Sequence, residues 1–176
     1  DIAKKFNNDF KTNLFPLPEP LIFGEATRVM SLRDGSKKMS KSDISDYSRI
    51  MLGESSDQIV KKIKKAKTDA FPLPDNVEEA KKRPEAYNLI SIFAALTDKK
   101  NKEIISNYAG KEFSVFKNDL AEITVEKISP ISLEINKLKK DTKYLDEIIE
   151  GGKIRATEVA DSVLSKVYEI IGFQKP

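Results

Sequence analysis

Apolar residues recur at helical spacing at both ends of the chain, while the stretch between is cut into short runs by proline, glycine and lysine. Ile2, Phe6 and Phe10 stand four apart and predict an opening helix. The three prolines of Pro16-Leu17-Pro18-Glu19-Pro20 exclude helix there, because each lacks a backbone donor and restricts the residue before it. Leu21-Ile22-Phe23 then reads as a short buried strand. Arg28-Val29-Met30-Ser31-Leu32 reads as a second extended piece, running into a polar loop from Asp34 to Asp43 with Gly35 at its turn.

Ser55 and Gln58 have capping-box spacing and predict a helix start. Ile59, Val60, Ile63 and Ala66 form its apolar stripe, and Lys61, Lys62, Lys64, Lys65 and Lys67 fall mostly on the outer side. Phe71-Pro72-Leu73-Pro74-Asp75-Asn76 breaks the pattern and predicts a domain boundary near residue 70, since all that follows reads helical. Leu89, Ile92, Phe93 and Leu96 mark one helix, and another should stop at Gly110. From Glu112 to Lys140 the apolar positions are Phe113, Phe116, Leu120, Ile123, Ile128, Ile131, Ile135 and Leu138, with Pro130 expected to kink or split the helix. Gly151-Gly152 should separate a short helix from a last one ending near Ile171. The simplest architecture for this tail is an antiparallel helical bundle.

Composition narrows the chemistry. The 176 residues contain no Cys and no His, which removes thiol catalysis, disulfides, the usual imidazole base and the commonest zinc ligands, so no protein-bound metal is expected. Lys plus Arg exceed Asp plus Glu only by 31 to 28, so any site for a polyanion must be local. No apolar run approaches the roughly 18–20 residues that span a bilayer, and no signal-peptide pattern opens the chain. A cytoplasmic protein without membrane contact is expected. The chain begins at Asp1 already in helical pattern, which reads as a segment of something longer.

The local polyanion site is Lys38-Met39-Ser40-Lys41-Ser42, where two ammonium groups and two hydroxyls share a glycine-led loop. Lysine is a compact charge on a long stem, so a mobile loop can bring it onto phosphate oxygens as charge develops, while hydroxyls and backbone N–H groups add directional bonds. Lysine- and serine-rich loops are usually solvated surface. This string, however, should arise by chance on the order of once in a few thousand chains of this composition. No G-x-x-x-x-G-K-[ST] pattern occurs, which disfavours a P-loop hydrolase.

The string resembles the signature loop of class I aminoacyl-tRNA synthetases, and its flanks from Arg28 to Asp43 look like the tryptophan-specific branch. The resemblance extends to Asp1–Asn7, Lys61–Asp69, Asn88–Ile92, Val115–Glu122 and Ile170–Phe173, and so covers practically the whole chain. Where the family often has Lys-Pro-Gly, this chain has Arg83-Pro84-Glu85. The family's first nucleotide signature contains histidine and is absent here, so the resemblance is to the C-terminal portion alone.

The resemblance implies the end of an α/β Rossmann-like catalytic domain over residues 1–70, with the loop and a linker helix, followed by an all-α anticodon-binding region over 71–176. It implies Mg-ATP, L-tryptophan and tRNA(Trp) as substrates and a homodimeric parent enzyme. Lys38 and Lys41 would hold β- and γ-phosphate oxygens, Ser40 and Ser42 would fix the loop and bond phosphate, and Val29 would lie beside adenine through its backbone, with Met30 and Met39 nearby. Val29 and Met30 are equally ordinary packing residues. The lysine-rich helix from Lys61 to Lys67 reads first as a solvated face, and the helical region's aromatics as core. The fragment alone is expected to be inactive. The competing reading is a non-catalytic tRNA-binding or regulatory module that keeps the loop as a relic.

Overall fold

The computed structural model describes residues 1–22 and 24–174. By contacts the chain forms two compact units, Ile22–Lys137 and a smaller one made of residues 1–21 with those from 138 on. The proline-rich break at 71–76 therefore lies inside the larger unit.

Every regular element among the described residues is a helix, apart from a single bridge between Met30 and Lys38. In the larger unit, α2 (Ser56–Lys64) opens on the expected capping box: the Gln58 N–H donates to Ser55 Oγ at 3.3 Å, and the Ser55 N–H to Gln58 Oε1 at 2.9 Å. Asn76 caps α3 (Val77–Lys81) by accepting from the Glu79 N–H at 2.9 Å. Pro84 opens α4 (Pro84–Leu96), a position where its missing donor costs nothing. After α5 (Asn101–Tyr108), Gly110 takes the left-handed conformation, φ 69°, that stops the helix as expected.

These helices close on a core of Ile59, Ile63, Leu89, Ile90, Ile104 and Phe116, all essentially buried. Phe93, Tyr108 and Phe116 form a ring cluster with centroids 5.0–5.6 Å apart. Leu73 is drawn into the same body: its N–H donates to Lys111 O at 2.9 Å, and its carbonyl accepts from the Gly110 N–H at 3.1 Å.

α6 (Phe113–Leu138) runs through Pro130 without a break. Side-chain anchors on either side hold it: Ser129 Oγ bonds Ser56 Oγ at 2.9 Å, and Ser132 Oγ donates to Leu52 O. In the smaller unit, α7 (Thr142–Ile171) likewise runs through Gly151-Gly152, contrary to the expected separation. A glycine inside a helix costs about 1 kcal/mol. Long helical stretches on both sides absorb that, and neither glycine adopts the left-handed conformation that would end a helix. The same unit holds α1 (Ile2–Asp9), where Phe6 packs on Phe10 and Phe15 at 4.7 and 5.0 Å, and Asn7 exchanges two hydrogen bonds with the Phe15 backbone.

Among the described residues the strands implied by a Rossmann-like remnant are not formed. Leu21 and Ile22 are exposed, and Phe23 lies outside the described residues. Arg28–Leu32 is extended only to the extent of the one bridge, because its backbone groups find partners one by one instead of in a ladder. Lys61, Lys64, Lys65 and Lys67 are exposed, as expected of lysines mostly on the outer side, and Lys62 is the buried exception.

Candidate lysine-loop site

The site begins with the direction of backbone groups in an extended chain, where successive residues face opposite edges. Val29 and Ser31 face the returning loop: the Met39 N–H donates to Val29 O at 3.1 Å, and the Ser31 N–H to Lys37 O at 2.8 Å. Met30 and Leu32 face the other way. The Leu32 N–H donates to Ser48 O at 2.9 Å, and Leu32 O accepts from the Lys67 N–H at 2.7 Å. Met30 is met by a side chain: its N–H donates to Asn88 Oδ1 and its carbonyl accepts from Asn88 Nδ2, both at 2.9 Å.

The turn between these arms is seated on the start of α4. A methyl group built on Gly35 would lie 2.5 Å from Glu85 N and from Pro84 C, so the backbones touch and no side chain fits. Asp34 folds the turn further, accepting from Ser36 Oγ at 2.6 Å and the Ser36 N–H at 3.0 Å, with Lys37 Nζ at 3.4 Å. The Ser36 bonds hold the Asp34 carboxyl below its ordinary value. Across the base, Lys67 pairs with Glu85 at 2.9 Å.

The far end of the loop is anchored by charge. Asp46, in a 3-10 turn at Asp46–Ser48, accepts from Lys62 at 2.8 Å, and Lys62 also pairs with Glu54. Burial works against the Lys62 ammonium, but the hydrogen bonds it donates to Asp46 and Glu54 outweigh it and hold its pKa above the ordinary value. Arg49 Nη1 donates to Asp43 O at 3.0 Å and Ser45 O at 3.3 Å, closing the loop's exit.

Between these anchors Lys38, Ser40, Lys41 and Ser42 are exposed, and Lys38 and Lys41 form no ion pair among the described residues. Ser40 and Ser42 are tied to each other, Oγ to Oγ at 3.0 Å, with the Ser42 N–H on Ser40 Oγ at 3.3 Å. Val29, Met30 and Met39 are half-buried, and Met39 packs on the core. An open cleft of about 350 Å³ beside the stem is lined by Arg28, Met30, Gly35, Tyr87, Asn88 and Ser91. Two free ammonium groups, paired hydroxyls and a fixed stem make a surface suited to polyphosphate. No group of three or more His, Cys, Asp or Glu residues able to hold a metal occurs among the described residues, and none of their helices is long and apolar enough to cross a membrane.

Sequence reading located the loop but not its supports. Asn88 sits inside the apolar run Ala86–Leu96, and a lone amide on a buried face was the available signal. Lys62 gave none, being one of five lysines within seven residues.

The chain matches the family described as tRNA synthetases class I (W and Y) over residues 1–128. It is 51% identical over 98% of its length to the tryptophan–tRNA ligase of Caulobacter vibrioides, covering 51% of that protein, and 44% identical over 98% to that of Rickettsia bellii, covering 52%. Among solved structures, tryptophanyl-tRNA synthetase from Mycoplasma pneumoniae superposes with a TM-score of 0.78 at 26% identity, over 99% of this chain and 54% of that one. The Campylobacter jejuni enzyme complexed with ADP and tryptophan gives 0.64 at 28%, over 98% and 52%. The chain thus spans about half the length of the curated relatives it matches. It belongs to the class I tRNA synthetases of the tryptophan and tyrosine branch, and within that branch it matches the C-terminal portion of tryptophan–tRNA ligases.

Proposed function

We propose that the chain is part of a tryptophan–tRNA ligase and contributes its phosphate-handling loop. The carboxylate of L-tryptophan attacks the α-phosphorus of Mg-ATP; the new carboxyl–phosphate bond forms as the α–β bridging bond breaks, and its electron pair leaves with pyrophosphate. The tRNA(Trp) terminal ribose then takes the acyl group from tryptophanyl-adenylate. Neither step needs a side-chain nucleophile. Positioning and charge stabilisation supply the rate.

The observation that carries this reading is the pair of exposed lysines, Lys38 and Lys41, without an ion pair among the described residues, on an anchored loop. Lys41 and Lys38 hold β- and γ-phosphate oxygens, Ser40 and Ser42 bond phosphate and shape the loop, and the Val29 backbone with Met30 and Met39 lies beside adenine. Mg²⁺ arrives with the nucleotide and is held by phosphate oxygens. The relative complexed with ADP and tryptophan supports nucleotide binding of this kind.

Residues 1–70 complete a Rossmann-like nucleotide-binding domain together with further chain, and 71–176 form the region that reads the anticodon. The parent enzyme is a cytoplasmic homodimer, and the present segment alone does not activate tryptophan.

The test is tryptophan-dependent exchange of labelled pyrophosphate into ATP by the complete enzyme. Lys41→Ala should lower it by about 10²–10³-fold, and the isolated 176-residue chain should show none. A folded complete enzyme without exchange for any amino acid would leave the non-catalytic tRNA-binding module standing instead.

A further inference from the structure

We propose that Asn88 is a positioning residue for adenylate formation: its side-chain amide takes the place of a neighbouring strand and sets the register in which the loop presents Lys38 and Lys41. The proposal rests on the reading of the loop given above and deepens it. Asn88 lies one turn into α4 and is 4% exposed, beside the buried Ala86, Leu89 and Ile90. A buried amide is costly unless both its donor and its acceptor are used. Here both go to one residue, Met30, 58 positions away, with Nδ2 also 3.4 Å from Ser31 O.

An amide carries a donor and an acceptor side by side, as a peptide group does, so it can hold both backbone groups of a residue that a strand would otherwise pair. The other edge of the same segment pairs with the loop, through Val29 to Met39 and Ser31 to Lys37. Holding Met30 therefore fixes the frame from which residues 37–39 hang. Gly35, flush against Pro84 and Glu85, is a second and independent contact between the loop and the same helix. Asn88 touches no phosphate itself; it acts through Lys38 and Lys41.

The experiment uses the complete enzyme with Asn88→Ala, Asn88→Asp, Lys41→Ala and the Asn88→Ala/Lys41→Ala pair. Single-turnover adenylate formation and transfer from preformed adenylate to tRNA are each measured per titrated active site. Asn88→Ala should slow adenylate formation about tenfold and leave transfer within about twofold, and in the Lys41→Ala background it should cost clearly less than about tenfold, the remainder running through Lys38. Asn88→Asp should also slow the first step, since it keeps the acceptor for Met30 N–H but sets a carboxylate against the Met30 and Ser31 carbonyls.

Amide hydrogen exchange without nucleotide should show Ser31 and Met39 loosened in Asn88→Ala while amides of α4 and α6 keep their protection. Equal losses in both chemical steps, multiplied losses in the paired variant, unchanged loop amides or core amides loosened as much as loop amides would each overturn the positioning role. Unimpaired adenylate formation by Lys41→Ala would instead sink the reading of the loop itself, and the Asn88 proposal with it.

Discussion

The two compact units are built from similar helices but sustained differently. In the larger one, Ile59, Ile63, Leu89, Ile90 and Phe116 are each at most 1% exposed, and even polar Asn88 and Lys62 are buried with partners. In the smaller one neither α1 nor α7 buries a single residue, and Ile149 and Val159 stand 66% and 68% exposed. Local devices define its helices: an Asp141 cap on the Tyr144 N–H at 3.0 Å, a left-handed Gly172 stop and exposed ion pairs such as Lys5–Asp9 at 2.7 Å. A helix can thus be well specified without contributing much to the stability of the fold. Capping and propensity fix where it starts and ends, whereas burial fixes what it is worth.

The sharpest way to break this contrast is to remove side chains from each unit. Phe116→Ala should destabilise by about 3–5 kcal/mol through lost burial and a cavity, while Val159→Ala should stay within about 0.5 kcal/mol. Denaturant unfolding of the two variants decides it, and a comparable cost at Val159 would mean that α7 is supported as the larger unit is.

Charge gives a second, smaller separation. Lys62→Met leaves Glu54, itself largely enclosed, without its partner and should cost about 3 kcal/mol. Lys5→Ala, in a solvated pair, should cost less than about 1 kcal/mol, and denaturant unfolding of the two variants makes the comparison.

The smallest effect is expected from acid. Arg83 hydrogen bonds hold the Asp69 carboxyl below 3.8 against opposing burial, and Lys62 does the same for Asp46. Carboxylates depressed in the folded state contribute stability that is present above their unfolded pKa and lost as pH falls through the folded one. The larger unit should therefore weaken progressively below about pH 3.8. Asp69→Asn should flatten part of that decline in melts run against pH.

The sequence disclosed those features whose causes are local. Ser55 with Gln58 marked the start of α2, Gly110 the stop after α5, and the periodicity of Leu89, Ile92 and Phe93 the helix α4, because capping and amphipathic spacing act over a turn or two. The lysine loop was legible as a string for the same reason. Arg28–Leu32 was not, since a strand exists only through its neighbours, and here those are single groups of Lys37, Met39, Ser48 and Lys67 and an amide 58 residues away from Met30. Gly151-Gly152 misled because a breaker's effect depends on how much helix surrounds it. Lys62 could not be told from the exposed lysines beside it, because its two carboxylate partners, Asp46 and Glu54, are set by no periodicity.

The seating of Gly35 on Pro84 and Glu85 bears on how such proteins can be recombined. The prolines at 72 and 74 invite a crossover that joins the loop of one relative to the helices of another. At that junction a bulkier residue in place of Gly35, or an aliphatic one in place of Asn88, would be brought against a surface shaped for neither. The segment inherited together is therefore the loop with α4.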